Sequence, residues 1–167
     1  GEIPAHEVRK KQSMVFQNPI LLNRTTFENI MYVAKIKNIE TNESVDKIIK
    51  QLNLESIINI ESKYLSGGEK QKVAIAMSII SNPKIIFLDE PTSQLDPVYK
   101  NEIENIITNL SEKNTKIFMT SHDIAQIDRI GKEIIFLDDG EIIFHDKVKD
   151  FINEKRNSII RNYVNYG

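Results

Sequence analysis

The sequence predicts an α/β protein with a mostly parallel sheet flanked by helices, and three observations carry that prediction. Short apolar runs alternate with segments of helical spacing, as in "KIIFLDE", the amphipathic stretch after it, and "TKIFMTSHD". That order of strand, helix and strand suits parallel pairing through a crossover helix. Polar residues stand where the runs stop: Gln17 after "SMVF", Asp89 and Glu90 after "IIFL", and His122 after "KIFMTS". Open α/β sheets gather their sites at the carboxyl ends of strands, so this placement points to chemistry as well as to a fold. The third observation is a set of helix caps, which mark where the connecting loops end.

Each element follows from local chemistry. "SMVFQ", Ser13 to Gln17, closed by Asn18 and Pro19, predicts a first strand. Thr25 and Glu28 have the spacing of a capping box and predict a helix over "FENIMYVAKI"; "ESVDKIIKQL" predicts a second. Ser66 and Glu69 form another such box, with a helix expected to run to about Ile80, where Ser81, Asn82 and Pro83 stop it. Three successive helices predict a helical subdomain at about residues 18–80. "KIIFLDE" reads as a buried strand ending in two carboxylates. Asp96 as N-cap and Pro97 as first helical residue start the next helix, and "TKIFMTSHD" is the next strand. "EIIFLDDGEIIFH" predicts a hairpin turning at Asp139 and Gly140, and the tail from Asp146 is expected to be helical.

Composition limits the possible functions. A chain of 167 residues with 40% hydrophobic and 28% charged residues suits one domain, or part of one. Its net charge of -2 supplies no strong basic field, so nucleic acid is not an expected partner. The absence of cysteine excludes disulfides and thiolate metal sites. No apolar run approaches membrane-spanning length. The charged stretches around Lys35 to Lys50 and Glu102 to Lys116 read as solvated helix faces.

The stretch "YLSGGEKQKVAIA" asks more than a cap can answer. Capping accounts for Ser66 and Glu69 but leaves Gly67, Gly68 and Gln71 unexplained. Glycine in a first helical turn lowers helix propensity and is worth keeping where something must approach the backbone closely. The unpaired N–H groups and positive dipole end of a helix start make an anion, such as a phosphate, the natural candidate.

Taken together these pieces resemble the nucleotide-binding domain of ABC ATPases. "VFQ" with Gln17 resembles the Q-loop, "LSGGEKQ" the signature motif, "IIFLDE" Walker B with its catalytic glutamate, "SQLD" the D-loop and "TSHD" the switch histidine. The five motifs stand in the family order and cover nearly the whole chain. Lys72 and Met77 depart from the arginines more usual there. The resemblance implies a P-loop NTPase-like fold, with ATP and Mg²⁺ as substrate and cofactor. It implies Glu90, His122 and Gln17 as catalytic groups and Asp89 with Gln17 at the metal. Ser66, Gly67, Gly68, Glu69 and Gln71 would contact a nucleotide held by a partner, and Ser93 and Asp96 would form the D-loop. An aspartate at a strand end suits Mg²⁺, and an adjacent glutamate suits polarising a water.

The resemblance also implies partners. Members pair head to tail as two ATPase subunits, and "NPILLNRTTFENIMYV" occupies the place where the family receives a helix of the transmembrane permease subunits. A cytoplasmic position, peripheral on the inner face of the membrane, follows. The short tail resembles small-solute importers of the amino-acid or oxyanion kind. G-x-x-x-x-G-K-[ST] does not occur in the sequence. The expectation is therefore an N-terminally truncated domain lacking the P-loop and early strands, inactive alone. Two alternatives are a catalytically dead partner lending its signature in trans, and a soluble non-transport ABC protein.

Overall fold

The computed structural model describes residues 6–39, 42–113, 115–154 and 158–166. The chain divides into two compact units, residues 1–120 and 121–167.

In the first unit, after the short helix α1 (His6–Lys10), strands β1 (Gln12–Val15), β2 (Ile85–Leu88) and β3 (Lys116–Met119) form a parallel sheet in the order β1-β2-β3. Val15 pairs with Leu88, and Leu88 with Met119. Pairing continues one residue further, since the Asp89 N–H donates to the Val15 carbonyl and the Thr120 N–H to the Leu88 carbonyl, each at 2.9 Å. Asp89 and Thr120 are thereby locked side by side at the carboxyl edge.

The sheet buries one face. Val15, Ile86 and Leu88 are buried, whereas Met14, Phe87 and Phe118, paired with one another in register, remain exposed on the other face. The rings of Phe87 and Phe118 stack at 5.5 Å. The expectation of a wholly buried central strand is thus corrected: successive side chains point to opposite faces, and the described residues cover only one.

Helices α2 (Thr26–Ile36), α3 (Asn42–Gln51), α4 (Gly67–Ile79) and α5 (Pro97–Glu112) complete this unit. The capping boxes at Thr25 and Ser66 and the Asp96 cap with Pro97 form as the sequence expects. Ile30, Val45, Leu52, Leu54, Val73 and Ile75 form the core between the helices. Two buried polar groups tie it together. Asn29 donates to the carbonyls of Leu22, Arg24 and Thr25 and accepts from the Leu22 N–H, fixing the loop ahead of its own helix. Lys72 takes the carbonyl of Asn53 at 3.3 Å and the carboxylate of Glu102 at 3.0 Å, joining α4 to the end of α3 and to α5. This departure from the family's usual arginine has a structural role.

The second unit comprises α6 (Ile124–Ile130), the antiparallel hairpin β4 (Glu133–Asp138) and β5 (Glu141–Lys147), α7 (Val148–Ile152) and α8 (Ser158–Tyr166). Asp139 and Gly140 both take positive φ, the geometry an Asp-Gly hairpin turn demands. Phe136 and Phe144 of the hairpin pack on Phe151, and Phe136 also on Tyr163.

Two boundaries differ from the sequence reading. β1 stops at Val15, leaving Gln17 in the loop beyond. β5 runs to Lys147, so the tail turns helical only at Val148; residues 155–157 of that tail lie outside the described residues. Helices α1 and α6 were not expected; each is too short to show a helical period.

Candidate functional site

The loop after β2 brings Asp89, Glu90 and Ser93 together with Gln17. Its first turn is unusual: Glu90 has φ +41 and Gln94 φ +64, left-handed values that cost a residue with a β-carbon on the order of 1 kcal/mol or more. Hydrogen bonds over-determine the turn. The Ser93 N–H and Oγ both donate to the Glu90 carbonyl, at 3.1 and 3.0 Å. The Glu90 N–H donates to Thr120 Oγ1 at 2.9 Å.

Side chains close the constellation. Gln17 Nε2 donates to Glu90 Oε2 at 3.1 Å and to Ser93 Oγ at 3.0 Å. Thr120 Oγ1 donates to Asp89 Oδ1 at 2.8 Å. Gln17, Asp89, Glu90 and Ser93, drawn from two segments of sequence, thus meet at the carboxyl edge of the sheet.

These donors suit Mg²⁺. The Gln17 amide directs its nitrogen at Glu90 and Ser93, which leaves a carbonyl oxygen, and Thr120 takes one oxygen of Asp89, which leaves the other. Among the described residues no group of three or more His, Cys, Asp or Glu could hold a metal unaided. A site with one carboxylate and one amide oxygen fits a cation that completes its shell with substrate phosphate and water.

The start of α4 separates the roles of its two glycines. Ser66 and Glu69 are committed to the cap: Ser66 Oγ accepts from the Glu69 N–H at 3.3 Å, and the Ser66 N–H and Oγ both donate to Glu69 Oε2, at 2.7 and 2.8 Å. Gly67 is exposed, and a β-carbon there would meet nothing nearer than Leu95 Cδ2 at 3.8 Å. Gly68 is buried, and a β-carbon would lie 2.3 Å from Tyr99 Cγ. The second glycine is required by packing against α5; only the first is left to an approaching ligand. Gln71, a turn further on, is buried at 2% exposure, and its Nε2 has no hydrogen-bond partner among the described residues.

Asp96 accepts from the N–H groups of Val98 at 3.0 Å and Tyr99 at 3.2 Å and so caps α5. His122 belongs to the second unit, exposed on the link into α6, three residues beyond the end of β3. Sequence reasoning missed Thr120 and Tyr99. Thr120 was within reach, because the parallel register that pairs Leu88 with Met119 sets Asp89 beside it. Nothing in the sequence marks Tyr99 as the residue lying on Gly68.

The chain is similar to known proteins in sequence and in fold. A family profile described as ABC transporter matches residues 2–93. The chain is 32% identical to the phosphate import ATP-binding protein PstB of Mycoplasmoides gallisepticum, over 97% of its own length and 52% of that protein's. It is 30% identical to PstB of Thermotoga maritima, covering 98% of this chain and 68% of the relative. The tungstate uptake system ATP-binding protein TupC of Peptoclostridium acidaminophilum is 36% identical, over 81% of this chain and 65% of TupC. The chain therefore spans between about half and two thirds of these relatives. Among solved structures, cbiO1 from Clostridium perfringens, part of the ABC transporter complex cbiONQ, superposes with a TM-score of 0.79 at 27% identity, covering 93% of this chain and 64% of that one.

Proposed function

The chain belongs to the ABC transporter family, and from that premise we propose that it is part of an ATP-hydrolysing subunit of a small-solute importer. The observation that carries the reading is the bonded set Gln17, Asp89, Glu90 and Ser93 at the carboxyl edge of a parallel sheet. A substrate phosphate is attacked by water, and the residues divide that work. Glu90, positioned by Gln17, accepts the proton of the attacking water. Asp89 and the Gln17 carbonyl would hold Mg²⁺, which when bound would offset charge on the phosphate oxygens. His122 senses the terminal phosphate.

A second copy completes the site. Gly67 at the start of α4 offers bare backbone to a nucleotide held by the opposite subunit, with the Ser66 cap shaping that helix start; Gly68 supports the arrangement through Tyr99 and Gln71 from within the helix. Ser93 and Asp96 set the course of the loop between the two regions. The segment from Asn18 to Val33, with Ile20 94% exposed, receives a permease helix. On this proposal the subunit sits on the inner membrane face through its partners; among the described residues no helix is long and apolar enough to cross a membrane. The names of the phosphate and tungstate relatives support import of a small solute.

The 167-residue chain by itself is proposed not to turn over ATP, since its sequence holds no G-x-x-x-x-G-K-[ST] to cradle the β- and γ-phosphates. The test is phosphate release with Mg²⁺ and ATP, measured on this chain and on the whole protein as its gene encodes it. Turnover is expected in the whole protein only, and it should vanish in Glu90→Gln. Equal turnover in the wild type and Glu90→Gln would refute the assignment.

A further inference from the structure

We propose that Thr120 is a positioning residue that sets both candidate carboxylates through one hydroxyl. The hydroxyl has a single proton, which it gives to Asp89 Oδ1 at 2.8 Å, and it accepts the Glu90 N–H at 2.9 Å. Two neighbouring residues with different tasks are thus referenced to the same atom on the adjacent strand. The backbone N–H of Thr120 is itself held by the Leu88 carbonyl at 2.9 Å, so the hydroxyl is carried by the sheet and not by a loop.

The two bonds do different things. Donation to Oδ1 fixes the plane of the Asp89 carboxylate and leaves Oδ2 for a cation. Acceptance from the Glu90 N–H holds a residue whose φ of +41 would otherwise relax toward the commoner regions of backbone space. Relaxation there would swing the Glu90 side chain away from Gln17. Thr120 is exposed, so water can replace its bonds at little cost to folding, but a mobile water does not hold a carboxylate in one orientation. The predicted signature is a variant that folds normally and positions badly.

The inference rests on the ATPase reading for its catalytic consequence, but the positioning itself is measurable without ATP. Thr120→Val keeps shape and removes the hydroxyl; Thr120→Ser keeps the hydroxyl and removes a methyl group. In the isotopically labelled whole protein without nucleotide, exchange of the Glu90 amide with solvent should accelerate about tenfold in Thr120→Val and stay near wild type in Thr120→Ser. In the whole protein, Thr120→Val should lower kcat by about tenfold, raise the Mg²⁺ concentration needed for half-maximal rate, and leave KM for ATP within about twofold; Thr120→Ser should restore most of the rate. Unchanged amide exchange in Thr120→Val, or equal damage in both variants, would overturn the proposal. If exchange responds as expected while Glu90→Gln hydrolyses ATP like the wild type, Thr120 positions the turn and it is the ATPase reading that fails.

Discussion

The ring of Tyr99 covers the backbone of Gly68, so that a β-carbon on that glycine would lie 2.3 Å from Cγ and 2.5 Å from Cδ1 of the ring. The start of α4 is thereby packed against the start of α5, and Leu95 lies 3.8 Å from where a β-carbon on Gly67 would stand. Through Ser93 and Gln17 the same loop reaches Glu90. Of the glycine pair, Gly68 is closed off by packing and Gly67 is exposed.

The two glycines should respond oppositely to alanine. Gly67→Ala places its methyl group in ordinary contact with Leu95, 3.8 Å away, and removes backbone freedom from the unfolded chain, so stability should rise by a few tenths to about 1 kcal/mol. Gly68→Ala must displace Tyr99 and should lose about 1–3 kcal/mol. Urea unfolding of both variants is the measurement. A Gly68→Ala protein as stable as Gly67→Ala would mean that the Tyr99 contact does not constrain the helix.

Local signals explain which parts were legible in the sequence. The boxes at Thr25 and Ser66, the Asp96 cap and the Asp139-Gly140 turn all act within a few residues, and all form where the pattern places them. Asp89 and Glu90 after β2, and Gln17 two residues past β1, were legible for a related reason, because a parallel sheet gathers its strand ends along one edge. Contacts set by tertiary packing were not. The Tyr99 ring on Gly68 and the Lys72–Glu102 bridge join residues about thirty positions apart in sequence, and no local rule selects those partners. The open face of Met14, Phe87 and Phe118 was hidden by its own hydrophobicity, since an apolar strand reads as buried on both sides.

Lys72 and Glu102 should show the asymmetry of a partly buried ion pair. The Lys72 side chain is buried and that of Glu102 is half exposed. Glu102→Ala leaves the ammonium with only the Asn53 carbonyl, and should cost about 1–3 kcal/mol. Lys72→Met removes the charge and keeps the stem, so it should be nearly neutral. Thermal unfolding of the two single variants tests the order; a larger loss in Lys72→Met would show that the pair itself, and not the stranded charge, carries the energy.

Acid should loosen α2 through its cap. The Thr25 backbone N–H bond, joined by the Thr25 hydroxyl, holds the Glu28 carboxyl below its ordinary value. Because the folded pKa is the lower one, the unfolded chain takes up the proton first. The stabilisation is therefore full above the ordinary carboxylate range and lost as pH falls through the folded value. Glu28→Gln should flatten this part of the acid-unfolding profile while leaving stability near neutral pH little changed, Glu28 being solvated. An acid limb identical to wild type would remove Glu28 from the account.

Replacing the carboxylates one at a time should separate their roles. In the whole protein, Glu90→Gln should retain ATP binding and stop hydrolysis, because an amide keeps the shape and cannot take a proton from water. It should accumulate an ATP-bound dimer. Asp89→Asn should shift the Mg²⁺ dependence, since a formal charge beside the cation is lost. Wild-type turnover in both variants would reject the assignment.

The source of a nucleotide at Gly67 distinguishes a site within one subunit from a site shared by two. If Gly67 serves ATP held by an opposite subunit, Gly67→Asp in the whole protein should leave ATP affinity of the monomer almost unchanged, because the phosphate-binding residues of that subunit are untouched. Dimer closure should fail. A carboxylate at the helix start would favour the helix dipole and yet meet the γ-phosphate as a like charge, and at contact distance the repulsion dominates the few tenths of a kcal/mol gained from the dipole. Gly67 is the sound place for this test, since a β-carbon there would stand in ordinary contact with Leu95 at 3.8 Å, whereas Gly68→Asp would first have to displace Tyr99. ATP titration and ATP-driven dimerisation, measured on the same preparation, give the two readouts. Loss of ATP binding by the Gly67→Asp monomer, with its fold intact, would place the glycine in its own subunit's nucleotide site and end the trans reading.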